Sequence, residues 1–149
     1  MVAANIAVVA LTKGLWQAGV LYSAYAKVTV GSAVETGDTW TFTDMLPSED
    51  IQIVGGALYG VAFDTNATPT ATVVVGDGTD TDGFLVSKTS GTTKAENIDT
   101  ETFLLDGALV GGAAKPASTS PVVTLGGTVA TAVAAGDFFL RIDYICRGA

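Results

Sequence analysis

The sequence predicts an all-β protein, a single jelly-roll-like β-sandwich of about eight to ten short strands behind an N-terminal arm. Three observations lead there. The residue bias is toward Val, Thr, Ala and Gly, the mix of pleated sheet with tight turns. Two long stretches alternate apolar and polar residues with a period of two, which places successive side chains on opposite faces of a sheet. Gly, Asp and Pro punctuate the chain at short intervals, and no window carries a helical stripe. A length of 149 residues suits one domain and is enough to bury a core with no covalent staple. We divide it into an arm or interface segment, 1–20, and a sandwich domain, 21–149.

The arm opens with the apolar run Val2 to Leu11. No basic residue precedes it and Asn5 interrupts it, so it is a poor signal peptide and too short to span a bilayer; the mature chain is expected to begin near Met1. In the first long strand, Val20, Tyr22, Ala24, Ala26, Val28 and Val30 share one face, and Ser23, Lys27 and Thr29 the other. Thr39 to Thr43 alternates Thr with aromatics. Ile51 to Val54 and Leu58 to Phe63 read as one long strand bent at Gly55-Gly56. Thr70 to Val75, Phe84 to Val86, Thr102 to Leu105, Val122 to Leu125 and Thr128 to Val133 follow, with turns that include Gly76-Asp77-Gly78, Asp106-Gly107 and Gly126-Gly127. In the last strand Phe138, Leu140, Ile142, Tyr144 and Cys146 alternate with Arg141 and Asp143. Residues 87–100 are polar and read as an exposed loop, and 107–121 as an irregular apolar one. Tyr22, Trp40, Phe42, Phe138 and Tyr144 fall on inward faces and are expected in the core.

Charge narrows the function. Seven Lys and Arg against fifteen Asp and Glu give −8, with no basic cluster to neutralise phosphates or an anionic bilayer. Neither nucleic acid nor membrane is an expected partner. Only 15% of residues are charged and the mean hydropathy is +0.45, which favours a subunit whose skin is covered by copies of itself or by another protein. Histidine is absent, which removes Ser-His-Asp triads, Cys-His pairs and His-liganded metals. The single cysteine, Cys146, permits no internal disulfide and reads as a small apolar residue on a buried strand face. No catalytic residue and no cofactor is expected.

Few side chains invite a site. Asp77, Asp80 and Asp82 in the loop 76–83 are the one local cluster with the look of a calcium loop. Read as a calcium motif from Gly78, it has glycine at the first ligand position and Thr89 where a closing Glu belongs. Asp and Gly are also what a tight strand connection uses, so the turn reading leads and calcium stays as a weak candidate. Asp44, Glu49, Asp50, Glu96, Asp99, Glu101 and Asp143 could in principle serve glycoside hydrolysis, but nothing pairs any two of them. Trp16 lies between the arm and the first long strand and suits either an anchor against a neighbour or packing on its own domain. The expected interface residues are Val2, Ile6, Val8, Leu11, Leu15 and Trp16.

An ordered series of segments resembles a family of small virion proteins of tailed bacteriophages that decorate or cement the head shell. Glu35-Thr36-Gly37-Asp38-Thr39 leads into a strand and Leu46-Pro47 follows it. Then come Ile53-Val54-Gly55-Gly56-Ala57-Leu58 and Ala71-Thr72-Val73-Val74-Val75, which runs into Gly76 to Leu85. Ala134-Ala135-Gly136-Asp137 leads into Phe139-Leu140-Arg141-Ile142-Asp143-Tyr144. The match runs from residue 35 to 146 and leaves out 1–20 and 107–121. The resemblance implies a jelly-roll-like domain on the outside of an expanded capsid, commonly a homotrimer near threefold positions, with the major capsid protein as partner. On that reading the arm adds a strand to a neighbour's sheet. The alternative is a carbohydrate-binding or adhesive β-sandwich, calcium-dependent through Asp77, Asp80 and Asp82, which needs exposed aromatics; a hydrolase ranks last.

Overall fold

In a computed structural model the described residues are 4–9, 20–30, 33–60, 63–89, 102–112, 114–132 and 136–147. Nine strands form among them: β1 (Ala4–Val9), β2 (Leu21–Val30), β3 (Thr39–Thr41), β4 (Ile51–Tyr59), β5 (Thr70–Gly76), β6 (Leu85–Thr89), β7 (Thr102–Leu104), β8 (Val122–Thr128) and β9 (Gly136–Cys146). A five-stranded sheet has the order β1-β2-β9-β4-β7, and a four-stranded sheet the order β3-β8-β5-β6. All pairings between strands are antiparallel.

The connectivity has a simple origin. β2 pairs β9, β3 pairs β8, β4 pairs β7 and β5 pairs β6. The chain from β2 to β9 is thus one long ribbon doubled back on itself, and the β4–β9 and β5–β8 pairings roll that ribbon into two facing sheets. This is jelly-roll topology, with β1 added as an edge strand beyond β2.

Alternation puts Ala24, Ala26, Val28 and Val30 of β2 and Phe138, Leu140, Ile142, Tyr144 and Cys146 of β9 against the other sheet's Ala71, Val73, Val75, Val123 and Leu125, all buried. One aromatic cluster ties the layers together. Trp40 stacks on Phe63 with centroids 5.3 Å apart, and Phe138 meets both edge-on at 5.1 and 5.2 Å. The other inward aromatics follow expectation: Phe42 and Tyr144 are buried, and half-buried Tyr22 stacks on Tyr144.

The bend expected in β4 is present. Its register with β9 shifts between Ile53 and Gly55, and Gly56 follows with φ of 142°. A side chain at Gly56 would run into the carbonyl oxygen of Arg141, so the bulge needs glycine both for its backbone and for its closeness to β9.

Several details differ from the sequence reading. The arm's strand, Ala4–Val9, pairs with β2 of its own chain, Ile6 in register with Val28 and Val8 with Ala26. Gly126-Gly127 is not a turn but the end of β8, where Gly127 has φ of 68° and Gly126 still pairs with Thr72. The strand expected from Thr128 to Val133 does not continue past Thr128, the last residue of β8: residues 129–132 leave the sheet, and the N–H groups of Ala130 and Thr131 turn to buried Asp64. β3 stops at Thr41, and Phe42 bonds instead to Pro121 through its N–H. The expected loop 87–100 begins later, since β6 runs to Thr89. Residues 107–121 are irregular as expected. Val2, Leu11, Leu15, Trp16, Glu96, Asp99 and Glu101 lie outside the described residues.

Candidate functional site

Two buried aspartates, one at each end of the sandwich, hold the loops. Asp77 has 3% of its surface exposed. Its Oδ1 accepts the N–H groups of Thr79 and Asp80 at 3.0 and 2.9 Å, and Oδ2 that of Ala117 at 2.6 Å. Burial pushes its carboxyl up, but the N–H donors of Asp80, Ala117 and Thr79 outweigh that and hold it below the usual carboxylate range. The loop expected to be a turn is therefore a turn with its aspartate turned inward, tying it to the 107–121 segment. Asp80 bonds locally to the Asp82 N–H. Among the described residues no group of three or more Asp, Glu or Cys is placed to hold a metal ion.

Asp64 plays the same part at the opposite end. It is fully buried, with Oδ1 accepting from Asn66 and Thr131 at 3.1 and 3.0 Å and Oδ2 from Ala130 at 3.3 Å. Burial raises its carboxyl, and the donors from Thr131, Asn66, Ala130 and Thr70 bring it below the ordinary value. Nothing in the sequence separates Asp64 from a solvated loop acid, because its donors come from a segment 66 and 67 residues away.

A different surface gathers groups suited to binding: the outer face of the five-stranded sheet. Cross-strand partners point to the same side of a sheet, so the register defines its rows. One row runs Leu104, Ala57, Arg141, Tyr25, and the next Tyr59, Phe139, Lys27. Tyr25 stacks on Phe139 with centroids 5.7 Å apart. Lys27 Nζ lies 5.9 Å from the Phe139 centroid and Arg141 Cζ 5.7 Å from that of Tyr59, both within cation–π range. Tyr25, Tyr59, Phe139 and Arg141 line an open groove of about 300 Å³. Leu104 is 71% exposed and Leu21, on the same face, 61%.

The charges on this face are paired. Lys27 Nζ lies 2.8 Å from Asp137 Oδ2, and Arg141 Nε 3.3 Å from Asp143 Oδ2. The hydrogen bond from Lys27 holds the Asp137 carboxyl below its usual range. Asp143 also accepts from Ser23 Oγ at 2.6 Å. Among the described residues Arg141 Nε is buried without a hydrogen-bond partner.

Most of the described aromatics lie on or against the core, as expected, and Tyr25, Tyr59 and Phe139 are the ones that stand on the outer face. Tyr25 shares its face with Ser23 and Lys27, and Phe139 with Arg141, so both were readable from alternation alone. Tyr59 was not. Simple alternation from Ile51 puts it inside, and the bulge between Ile53 and Gly55 turns it out. A second cavity of about 150 Å³ lies between residues 46–51 and 115–119, where Lys115 Nζ donates to the Ser48 carbonyl at 2.7 Å. It is smaller than typical ligand pockets.

The fold defines a class, the two-sheet all-β jelly roll. Two solved structures share it. A chain of the cyanophage Pam1 capsid asymmetric unit superposes with a TM-score of 0.64 at 21% identity, covering 92% of each chain. A chain of the capsid of Ralstonia phage GP4 superposes with a TM-score of 0.56 at 16% identity, covering 95% of this chain and 94% of that one. By sequence, the chain matches no family model and no curated protein.

Proposed function

We propose that this protein is a non-enzymatic structural component of a phage virion, a decoration or cement protein that binds the outer capsid surface and stabilises the shell. The observation that carries the reading is the fold shared with chains of two phage capsids over at least 92% of every chain compared. Each counterpart is thus a whole chain of this size rather than one lobe of a larger protein. The acidic, charge-poor composition and the aromatic outer face agree with it. The protein is made in the host cytoplasm, contacts the major capsid protein and associates with itself as a homotrimer. Such a protein works by distributed burial: contacts with several capsid subunits add avidity against the outward pressure of packaged DNA.

The arm belongs to this reading. β1, which carries Ile6 and Val8, is an edge strand whose outer ladder groups are open to a neighbouring strand, and we assign Val2, Leu11, Leu15 and Trp16 to the same interface. Deleting residues 2–11 lowers capsid occupancy; unchanged occupancy would remove the arm from the interface.

Co-sedimentation of the purified protein with unexpanded and expanded capsids of its phage tests the whole reading. Saturable binding to expanded shells, with little to unexpanded ones, is the expected result. Binding to neither leaves a fold without this role. One observation favours the carbohydrate-binding alternative: Tyr25, Tyr59 and Phe139 stand on an outer face beside Arg141, as a sugar platform requires. A glycan array discriminates. The calcium-dependent form of that alternative loses support, because Asp77 is committed to backbone N–H groups.

A further inference from the structure

We infer that the outer face of the five-stranded sheet is where one copy of this chain meets another. The inference rests on the self-association part of the proposed function and names the surface responsible. Size is the first argument. β2, β9, β4 and β7 have 10, 11, 9 and 3 residues; at roughly 3.3 Å per residue and 4.8 Å between strands they present a face of roughly 520 Å². Matched by an equal area on the second copy, that totals about 1,050 Å², just above the roughly 1,000 Å² that a specific interface should clear.

Charge is the second argument and selects the occupant. Two copies of a chain carrying −8 repel each other unless they meet where charge is cancelled. On this face Lys27 is matched by Asp137 and Arg141 by Asp143, so the patch is neutral. The other described basic residues, Lys88, Lys115 and Arg147, lie off it, with ten of the described acids. Composition is the third. Tyr, Phe and Arg clustered at the centre of a face are the side chains that dominate binding energy in protein interfaces. Leu104 and Leu21 extend the apolar surface around them, and the Arg141 guanidinium can take a carbonyl or carboxylate of the second copy.

Sedimentation equilibrium of the full chain at micromolar concentration tests this, with capsid pelleting measured separately. The variants are Tyr25→Ser combined with Phe139→Ser, and Leu104→Asp alone. The second sits at a position too exposed to disturb folding. Val86→Ser, at a 37% exposed position on β6 of the other sheet, is the control. We expect the wild type and V86S to associate equally. Both outer-face variants should weaken association by at least about tenfold with unchanged melting temperature for L104D. Association that persists in both outer-face variants overturns the inference while the homotrimer stands. A wild type that stays monomeric overturns both. In that case, loss of capsid pelleting by the same variants would assign the face to the capsid instead.

Discussion

The two sheets of this sandwich have the same inner face and opposite outer ones. The four-stranded sheet turns Thr39, Thr41, Thr70, Thr72 and Thr124 outward, with Val74 and Val122. The five-stranded sheet turns out Tyr25, Tyr59, Phe139, Arg141 and Leu104. Both sets favour strands, so β propensity does not explain the difference. Threonine covers a sheet with a small branched side chain whose hydroxyl stays hydrated. Aromatic rings expose area that water does not reward. A face that merely has to be a sheet in water is built like the first, and a face that has to meet something is built like the second.

The sharpest test of what both faces share is Trp40→Ala. Its ring joins the layers through Phe63 and Phe138, so the cavity should cost about 3–5 kcal/mol. Urea denaturation reads it as a lowered midpoint, and both faces should lose order together. An effect under about 1 kcal/mol would mean that the sheets are held elsewhere.

Asp64→Ala comes next, at about 3 kcal/mol, because it strands the N–H groups of Asn66, Ala130 and Thr131. The same groups set an acid limit. The carboxyls of Asp64 and Asp77 lie below their ordinary range when folded, so the unfolded chain binds more protons. Their contribution is complete above about pH 4 and is lost as pH falls through the folded values. Melting temperature followed from pH 7 to pH 3 should fall steeply below pH 4 in the wild type and less steeply in Asp64→Ala. Parallel curves would show that other groups set the acid limit.

Smaller effects distinguish the faces themselves. Phe139→Thr, which makes the aromatic face resemble the other, should cost about 1 kcal/mol through its contacts with Tyr25 and Lys27. It should also reduce capsid pelleting or self-association. Thr124→Val, on the four-stranded sheet, should change stability by less than about 0.5 kcal/mol and leave binding alone. If Thr124→Val lowers binding and Phe139→Thr does not, the faces have exchanged roles.

Alternation made the inner faces of β2 and β9 legible, since a period of two is a local property. It also held Tyr25 and Phe139 in plain view among polar neighbours. What it could not supply was anything set by distant partners. Tyr59 faces outward because of a bulge whose register β9 determines, and Gly126-Gly127 stays in β8 because β5 pairs with it. Asp64 differs from a surface acid mainly through donors on the segment after β8, Ala130 and Thr131, added to the local one from Asn66. The loop around Asp77 was readable as a turn because Asp-Gly spacing is local, whereas its bond to Ala117 was not.

The doubled-ribbon pairing has a consequence for biosynthesis. β9, made after the other eight described strands, lies between β2 and β4, so the central member of the five-stranded sheet is missing until Cys146 has been made. Until then β2 and β4 have open edges and apolar faces, the state in which chains aggregate. Folding of this sheet must therefore wait for β9, and its many long-range pairings make it slow. A nonsense codon at the start of β9 would yield not a shorter protein but an insoluble one.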